Sequence, residues 1–509
     1  MTTVRSDDAE LQEFGYRQEL KRTLGNFHTF AAGISYISIL TGTFQLFYLG
    51  FAQGGPAYWW SWPMVFAGQL MVALCFAELA ARYPIAGSIY NWAKRLSNPH
   101  VSWLAGWLML AASATTVAAT ALALQITLPQ IWDGFQLVPD NPTNAVILAS
   151  ILIVFTTVIN ACGVKLMARI NSAGVLIELI AAVIMVVVLA AFAVRGPSVV
   201  LETHGTGEGN PLGYMGAFLA ASLASLYVMY GFDTAASLGE ESKDPCRNAP
   251  KSILRAVTAS FVIGGLLLLF ALMAVRDINA PELGTIGLQY IVLDVLGPVV
   301  GKIFLVSVAI AIVVCVLAVH TAAIRMMFAM ARDNNLPGGA KLAKVSARFQ
   351  TPVLPALLIG AFGIAFLMIN IGQPQIFSVV TSIAIILIYL AYLLVTVPLL
   401  IARFRGRWPL STVEGAESRF GLGKWGLPVN IVAVLWGAAM VVNLLWPRQA
   451  IYNPSPPFHW YLQWGAVLFV GAVTIIGFAY YWFVQRHRSG VLADHAHTPA
   501  EAAPMPEVR

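Results

Sequence analysis

Glu178, Asp233 and His320 each stand inside a long apolar run. An ionisable side chain there is costly, so it marks a functional hypothesis by default. Asp233 lies in LYVMYGFDTAASLGEESKDPCRN, which starts at Leu226. It is placed to sense a substrate amine or a proton, or to cap the helix that resumes after the glycine, and the two roles can coexist. Glu178 sits some two turns into ARINSAGVLIELIAAVIMVVVLAAF, far in sequence from the next charge. Its carboxylate suits proton uptake, an ion site or pairing with a distant cation; the simpler alternative is a protonated structural glutamate. His320 lies about 18 Å from the basic end of its run, at 1.5 Å per helical residue. An imidazole there suits a proton site, although a buried neutral ring bonded to a neighbouring hydroxyl is the preferred reading.

The elements that must hold these groups are membrane helices. The chain is 58% hydrophobic and 11% charged, with a mean hydropathy of +0.75, far from the roughly 25% charge of soluble domains. It reads as an all-α integral membrane protein with about twelve spans of the length a bilayer needs. These run near 27–53, 58–81, 101–128, 144–164, 172–195, 214–240, 251–275, 299–331, 353–371, 376–402, 426–446 and 460–484, numbered spans 1 to 12 below. With the N-terminus inside, all but Arg195, Arg276, Lys302 and Arg448 of the 30 Lys and Arg fall on the cytoplasmic side, as the positive-inside rule requires. The expected organisation is a cytoplasmic segment 1–26, a membrane domain 27–485 and a disordered cytoplasmic tail 486–509, in the cell membrane. Cys75, Cys162, Cys246 and Cys315 are scattered without metal-ligand spacing, so neither a metal nor another cofactor is expected.

Spans 1 and 6 carry interruptions in corresponding places. Span 1 holds Ser38, Ile39, Thr41, Gly42 and Thr43; span 6 holds Tyr227, Tyr230, Gly231 and Asp233. Irregular backbone survives at that depth only where it is buried or lines a cavity, and paired interruptions of this kind mark inverted-repeat transporters. A half-helix starting near Gly42 would aim N–H groups at a carboxylate, and one ending near Tyr230 would aim carbonyls at an ammonium. A zwitterion fits between them. Close packing of small residues between helices is the alternative.

The run GFDTAASLGEESKDPCRNAPKSI (Gly231 to Ile253) resembles the signature of the amino acid, polyamine and organocation permeases. YPIAGSIYNW (Tyr83 to Trp92) and RMMFAMARDNNLP (Arg325 to Pro337) support it, and FGYRQELKR (Phe14 to Arg22) is closest to the amino acid/choline branch with its GABA and choline permeases. The resemblance implies a LeuT-like five-plus-five inverted repeat in spans 1 to 10, with broken spans 1 and 6, two peripheral spans and alternating access. It places the family's Gly-Ser-Gly on Leu40, Thr41 and Gly42, and its aromatic gate on Tyr227. Relatives carry lysine where this chain has Glu178, so the charge there is reversed.

The expected function is a secondary permease for amino acids or related amines such as GABA, coupled to protons. Substrate exchange, choline or polyamine transport and a non-transporting sensor are the alternatives. No HExxH, Walker loop or GxSxG occurs, so an enzyme is not expected. The expected partners are a small-molecule substrate, protons and the lipid bilayer; the net charge of +6 is read as topology and not as a nucleic-acid surface. Glu240, Glu241, Arg247, Arg255, Arg325, Arg332 and Asp333 read either as an inner gate or as solvated loop charge.

Overall fold

The computed structural model describes residues 11–12, 14–368, 371, 376–408, 419–453 and 456–496. Among them the structure is almost wholly helical, with only isolated bridges at Tyr16–Ala496 and Leu24–Ser242 as extended pairings. Ten helical stretches are long and apolar enough to cross a membrane, and two shorter apolar helices, Tyr214–Val228 and Val353–Met368, fill the remaining places.

Span 1 is α1 (Asn26–Ile37) and α2 (Ile39–Gly54), and span 2 is α3 (Ser61–Arg82). A short amphipathic helix, α4 (Ser88–Leu96), precedes span 3, made of α5 (Pro99–Ala121) and α6 (Ala123–Ile131). Spans 4 and 5 are α7 (Asn141–Ala161) and α8 (Val164–Ala191). Span 6 is α9 (Tyr214–Val228) followed by the single turn α10 (Thr234–Ser237), and span 7 is α11 (Pro245–Ala274). Then come α12 (Leu288–Arg332), α13 (Val353–Met368), α14 (Ile376–Phe404), α15 (Gly426–Leu445) and α16 (Gly465–Tyr480).

Local chemistry sets several of these boundaries. Asn98 caps α5, accepting the Val101 N–H at 3.0 Å, and Asp140 caps α7 through the Thr143 N–H at 2.9 Å; each is followed by an early proline that needs no partner. α12 is longer than span 8 because it begins before it, and it bends at Gly297, which takes φ 77° ahead of Pro298. A residue before proline is pushed out of the helical region, and glycine tolerates the left-handed one.

The packing carries the repeat. α2 lies on α9, α3 on α11, α5 on α12 and α7 on α13, so spans 1 to 4 each meet the span five places later. α8 packs against α12 as α14 packs against α5, which is the same relation with the halves exchanged. α15 and α16 pack on the outside, chiefly against α14. The fold is therefore the five-plus-five inverted repeat with two peripheral spans.

At the end of the bundle where Arg82, Lys94, Lys165 and Arg332 gather, called the basic end below, both terminal segments lie on the helices. The Arg17 N–H donates to the His495 carbonyl at 3.0 Å, His495 Nδ1 meets Glu19 at 2.5 Å, and the Gly490 and Leu492 N–H groups reach the carbonyls of Asp333 and Arg332. The chain after Gln485, expected as a disordered tail, is thus packed as far as residue 496; residues 497–509 lie outside the described residues, as do 1–10 and 13 of the N-terminal segment.

Candidate functional site

The break in span 1 falls at Ser38, which adopts φ 38° and ψ 93°, and not near Gly42 as the sequence suggested. Gly42 is inside α2, its N–H bonded to the Ser38 carbonyl at 3.0 Å. Its lack of a side chain lets α2 approach Val228 of α9, so Gly42 serves close packing. Thr43 is also committed to its own helix, donating to the Ile39 carbonyl at 2.6 Å.

The start of α2 is occupied by Glu178. Its Oε1 accepts the Ser38 hydroxyl at 2.9 Å and the Leu40 N–H at 3.1 Å, and the Ser38 and Thr41 hydroxyls are 2.6 Å apart. A helix start presents unpaired N–H groups and the positive end of the dipole, so an acid is well placed there. Leu40, where the resemblance puts a glycine, contributes only its N–H, which any residue supplies. Buried Glu178 thus caps a half-helix that belongs to a different span.

In span 6, α9 ends at Val228, two residues before the expected point, and the helical path is lost through Met229, Tyr230 and Gly231. Gly231 takes φ 83°, and a side chain there would collide with the ring of Tyr36. Asp233 does not cap α10 through its side chain. Its Oδ1 accepts the Tyr392 hydroxyl at 2.6 Å and its Oδ2 the Ser88 hydroxyl at 3.0 Å; Ser88 lies 2.8 Å from Ser237. The Tyr392 oxygen accepts the Gly231 N–H at 2.9 Å. One phenol thereby ties the backbone of the break to the carboxylate two residues later.

Between the two breaks, Tyr230 meets Tyr36 and Tyr227 edge-to-face, each pair with centroids 6.0 Å apart. Tyr227 also shares a 3.3 Å contact with Thr120. The buried Tyr36 hydroxyl lacks a well-formed hydrogen bond, which leaves a polar tip in the aromatic cluster. A cavity of about 10 Å³ lies beside Gly42, Thr43 and Val228, room for about one water.

Ser38, Ile39, Thr41, Thr43, Tyr227, Tyr230, Gly231, Asp233 and Glu178 are all buried around these two breaks. His320 bonds elsewhere: its Nδ1 lies 3.2 Å from the Thr156 hydroxyl and its Nε2 3.1 Å from the Ala356 carbonyl, which places it among α7, α12 and α13. The ring is bonded to a hydroxyl and a carbonyl, the arrangement expected of a buried neutral histidine. Tyr392 and Ser88 were missed. Ser88 belongs to the YPIAGSIYNW motif and was legible by type, whereas Tyr392 is one of several aromatics in an apolar run.

The basic end is closed by buried ion pairs. Arg332 grips Glu240 through two bonds of 2.9 and 3.0 Å, and Arg325 grips Glu241 at 2.8 and 3.3 Å. Asp333 accepts from Tyr90 at 2.7 Å, Tyr16 at 3.1 Å and Lys94 at 2.5 Å. Burial alone would raise the Asp333 pKa, but Lys94 and Arg332 more than offset it and hold the carboxyl below its usual range. The Ala86 N–H reaches Glu240 at 3.0 Å, so the motif around Ser88 serves both the break and the closure. Arg247 and Arg255 stay exposed and do not join.

Comparison with known proteins agrees with this architecture. A family model described as amino acid permease matches residues 24–473. The chain is 28% identical to a rice protein called amino-acid permease BAT1 homolog, over 85% of this chain and 86% of that one. It is 26% identical to Arabidopsis amino-acid permease BAT1 over 95% of each, and 29% identical to the methylthioribose transporter of Bacillus subtilis over 73% and 82%. The crystal structure of MhsT in complex with L-phenylalanine shares the fold, with a TM-score of 0.56 and 18% identity, over 84% of this chain and 98% of that one.

Proposed function

The chain belongs to the amino acid permease family, and from that premise we propose that it moves an amino acid, or a related amine such as GABA, across the cell membrane by alternating access with proton coupling at Glu178. The observation that carries this reading is the Glu178 carboxylate on the start of α2. That helix start suits a substrate carboxylate, and this chain already supplies one. Two ionised carboxylates cannot share such a site cheaply. A proton on Glu178 removes the competing charge and releases the Leu40 N–H to the substrate, so the proton and the substrate arrive together.

The amine is received at the other break, where the last carbonyls of α9 lack helical partners and Asp233 lies close behind. Tyr36, Tyr227 and Tyr230 enclose the carbon skeleton. Asp233 and Tyr392 act as positioning residues that hold the Gly231 backbone. The buried ion pairs at the basic end form a gate that must part for release on that side. The distribution of Lys and Arg supports placing that end, and both termini, in the cytoplasm.

The test is uptake into proteoliposomes of labelled alanine, GABA, arginine, choline, putrescine and methylthioribose, with and without an inward proton gradient at fixed sodium. The expected result is zwitterion uptake that rises with the gradient, a rise lost in Glu178→Gln. Uptake that ignores the gradient and requires substrate preloaded inside would mean exchange and would remove Glu178 from the coupling step.

A further inference from the structure

A second site lies at the basic end, away from the breaks. A cavity of about 350 Å³ opens where the turn between α7 and α8 meets the loop before α13 and the N-terminal segment, within the roughly 300–1,000 Å³ of small-ligand sites. Lys21, Lys165, Arg169 and Arg348 line it, and no carboxylate does. Among the described residues, none of these four is paired with an acid. Like charges converging without a counterion repel one another, so an anion stabilises the arrangement. Thr23 adds a buried hydroxyl oxygen without a partner on the same lining, and Gly163 starts α8 without a side-chain cap.

The apolar surface next to this cavity says what kind of anion it is. Ala173, Ile177, Ile180, Ile184 and Val187 are exposed along α8, at three- and four-residue spacings that make one stripe on a helix. In a membrane protein such a stripe faces acyl chains. The stripe begins one turn after Arg169 and two turns after Lys165, so the cationic cavity sits at its headgroup end. We propose that this cavity binds the phosphate-bearing headgroup of an anionic phospholipid whose chains lie along α8. Basic pockets between helices at the interface recognise anionic headgroups by charge and by hydrogen bonds to phosphate oxygens.

The test is native mass spectrometry of the full chain in detergent, titrated with phosphatidylglycerol or phosphatidylcholine. Phosphatidylglycerol should be retained in preference, and Lys165→Ala with Arg169→Ala should weaken it by roughly 30-fold, from about 1 kcal/mol per charge near an anionic lipid. Lys341→Ala with Lys344→Ala, which removes the same charge from exposed positions at the same end, should retain the preference. Arg348→Ala, on an exposed loop, gives a second readout in the same direction should the double variant fail to fold. Equal loss in the double variant and the Lys341/Lys344 control would overturn the site. Displacement of phosphatidylglycerol by millimolar glycerol 3-phosphate, itself retained on the protein, would overturn the lipid and leave a site for soluble phosphates.

Discussion

Replacing Tyr392 by phenylalanine removes one oxygen and leaves the ring in place. That oxygen donates to Asp233 at 2.6 Å and accepts the Gly231 N–H at 2.9 Å, both out of contact with solvent. A hydrogen bond to an ionisable carboxyl contributes about 1.5–3 kcal/mol, and a buried N–H left without an acceptor costs about 1–3 kcal/mol. The expected loss is therefore on the order of 3 kcal/mol, roughly a hundredfold in the unfolding equilibrium. The measurement is unfolding in mixed micelles titrated with dodecyl sulfate, run as a double-mutant cycle with Asp233→Asn. Because the two residues are in contact, the cycle should return a coupling energy above about 0.5 kcal/mol. Uptake should fall in parallel, since the Gly231 backbone is no longer held. A Tyr392→Phe protein within about 0.5 kcal/mol of the parent, the range of ordinary surface changes, with unaltered uptake would refute the idea that this phenol supports the break.

Gly231→Ala should abolish uptake and destabilise the protein by about 2–5 kcal/mol, adding left-handed strain to a clash with Tyr36; thermal unfolding in detergent reads the loss. Glu240→Gln leaves the Arg332 guanidinium buried beside a neutral amide, so a destabilisation of about 3–5 kcal/mol is expected in the same unfolding assay, against little effect for an exposed control such as Glu208→Gln. For Asp333 the carboxyl is held below its unfolded value, so its contribution is present above about pH 4 and is lost as the pH falls through the folded value. Lys94→Met removes one of the offsetting cations and should move that acid loss to higher pH, followed by tryptophan fluorescence between pH 3 and 6.

The spans were legible because apolar length is a property of contiguous sequence. The two interruptions were legible as well, and Gly231 does lie in the second, but the position of the first was not. Glycine and threonine pointed to Gly42, whereas the backbone turns at Ser38, where a carboxylate from a residue 140 positions away supplies the missing acceptor. Nothing in span 1 alone carries that information. Glu178 stood out as an acid in an apolar run, yet its partner was unreadable because the pairing crosses spans. Tyr392 was hidden for the opposite reason: in IILIYLAYLL a tyrosine is indistinguishable from core packing until its hydroxyl is seen against Asp233. The Arg and Glu residues near the ends of spans 6 and 8 were readable as either gate or solvated charge, and burial decides between them only in three dimensions.

The terminal segments give the basic end an unusual connectivity. Glu19 and His495, 476 positions apart, meet over helices that the rest of the chain builds between them. The polypeptide is in effect a ring closed by a non-covalent clasp, and the closure lies on top of the Arg332–Glu240 and Lys94–Asp333 pairs. Tyr16 and the Gly490 and Leu492 N–H groups join this clasp directly to Asp333 and Arg332. Under the proposed gating, contacts between two segments from opposite ends of the sequence help to hold the basic end shut, far from the residues that line the two breaks.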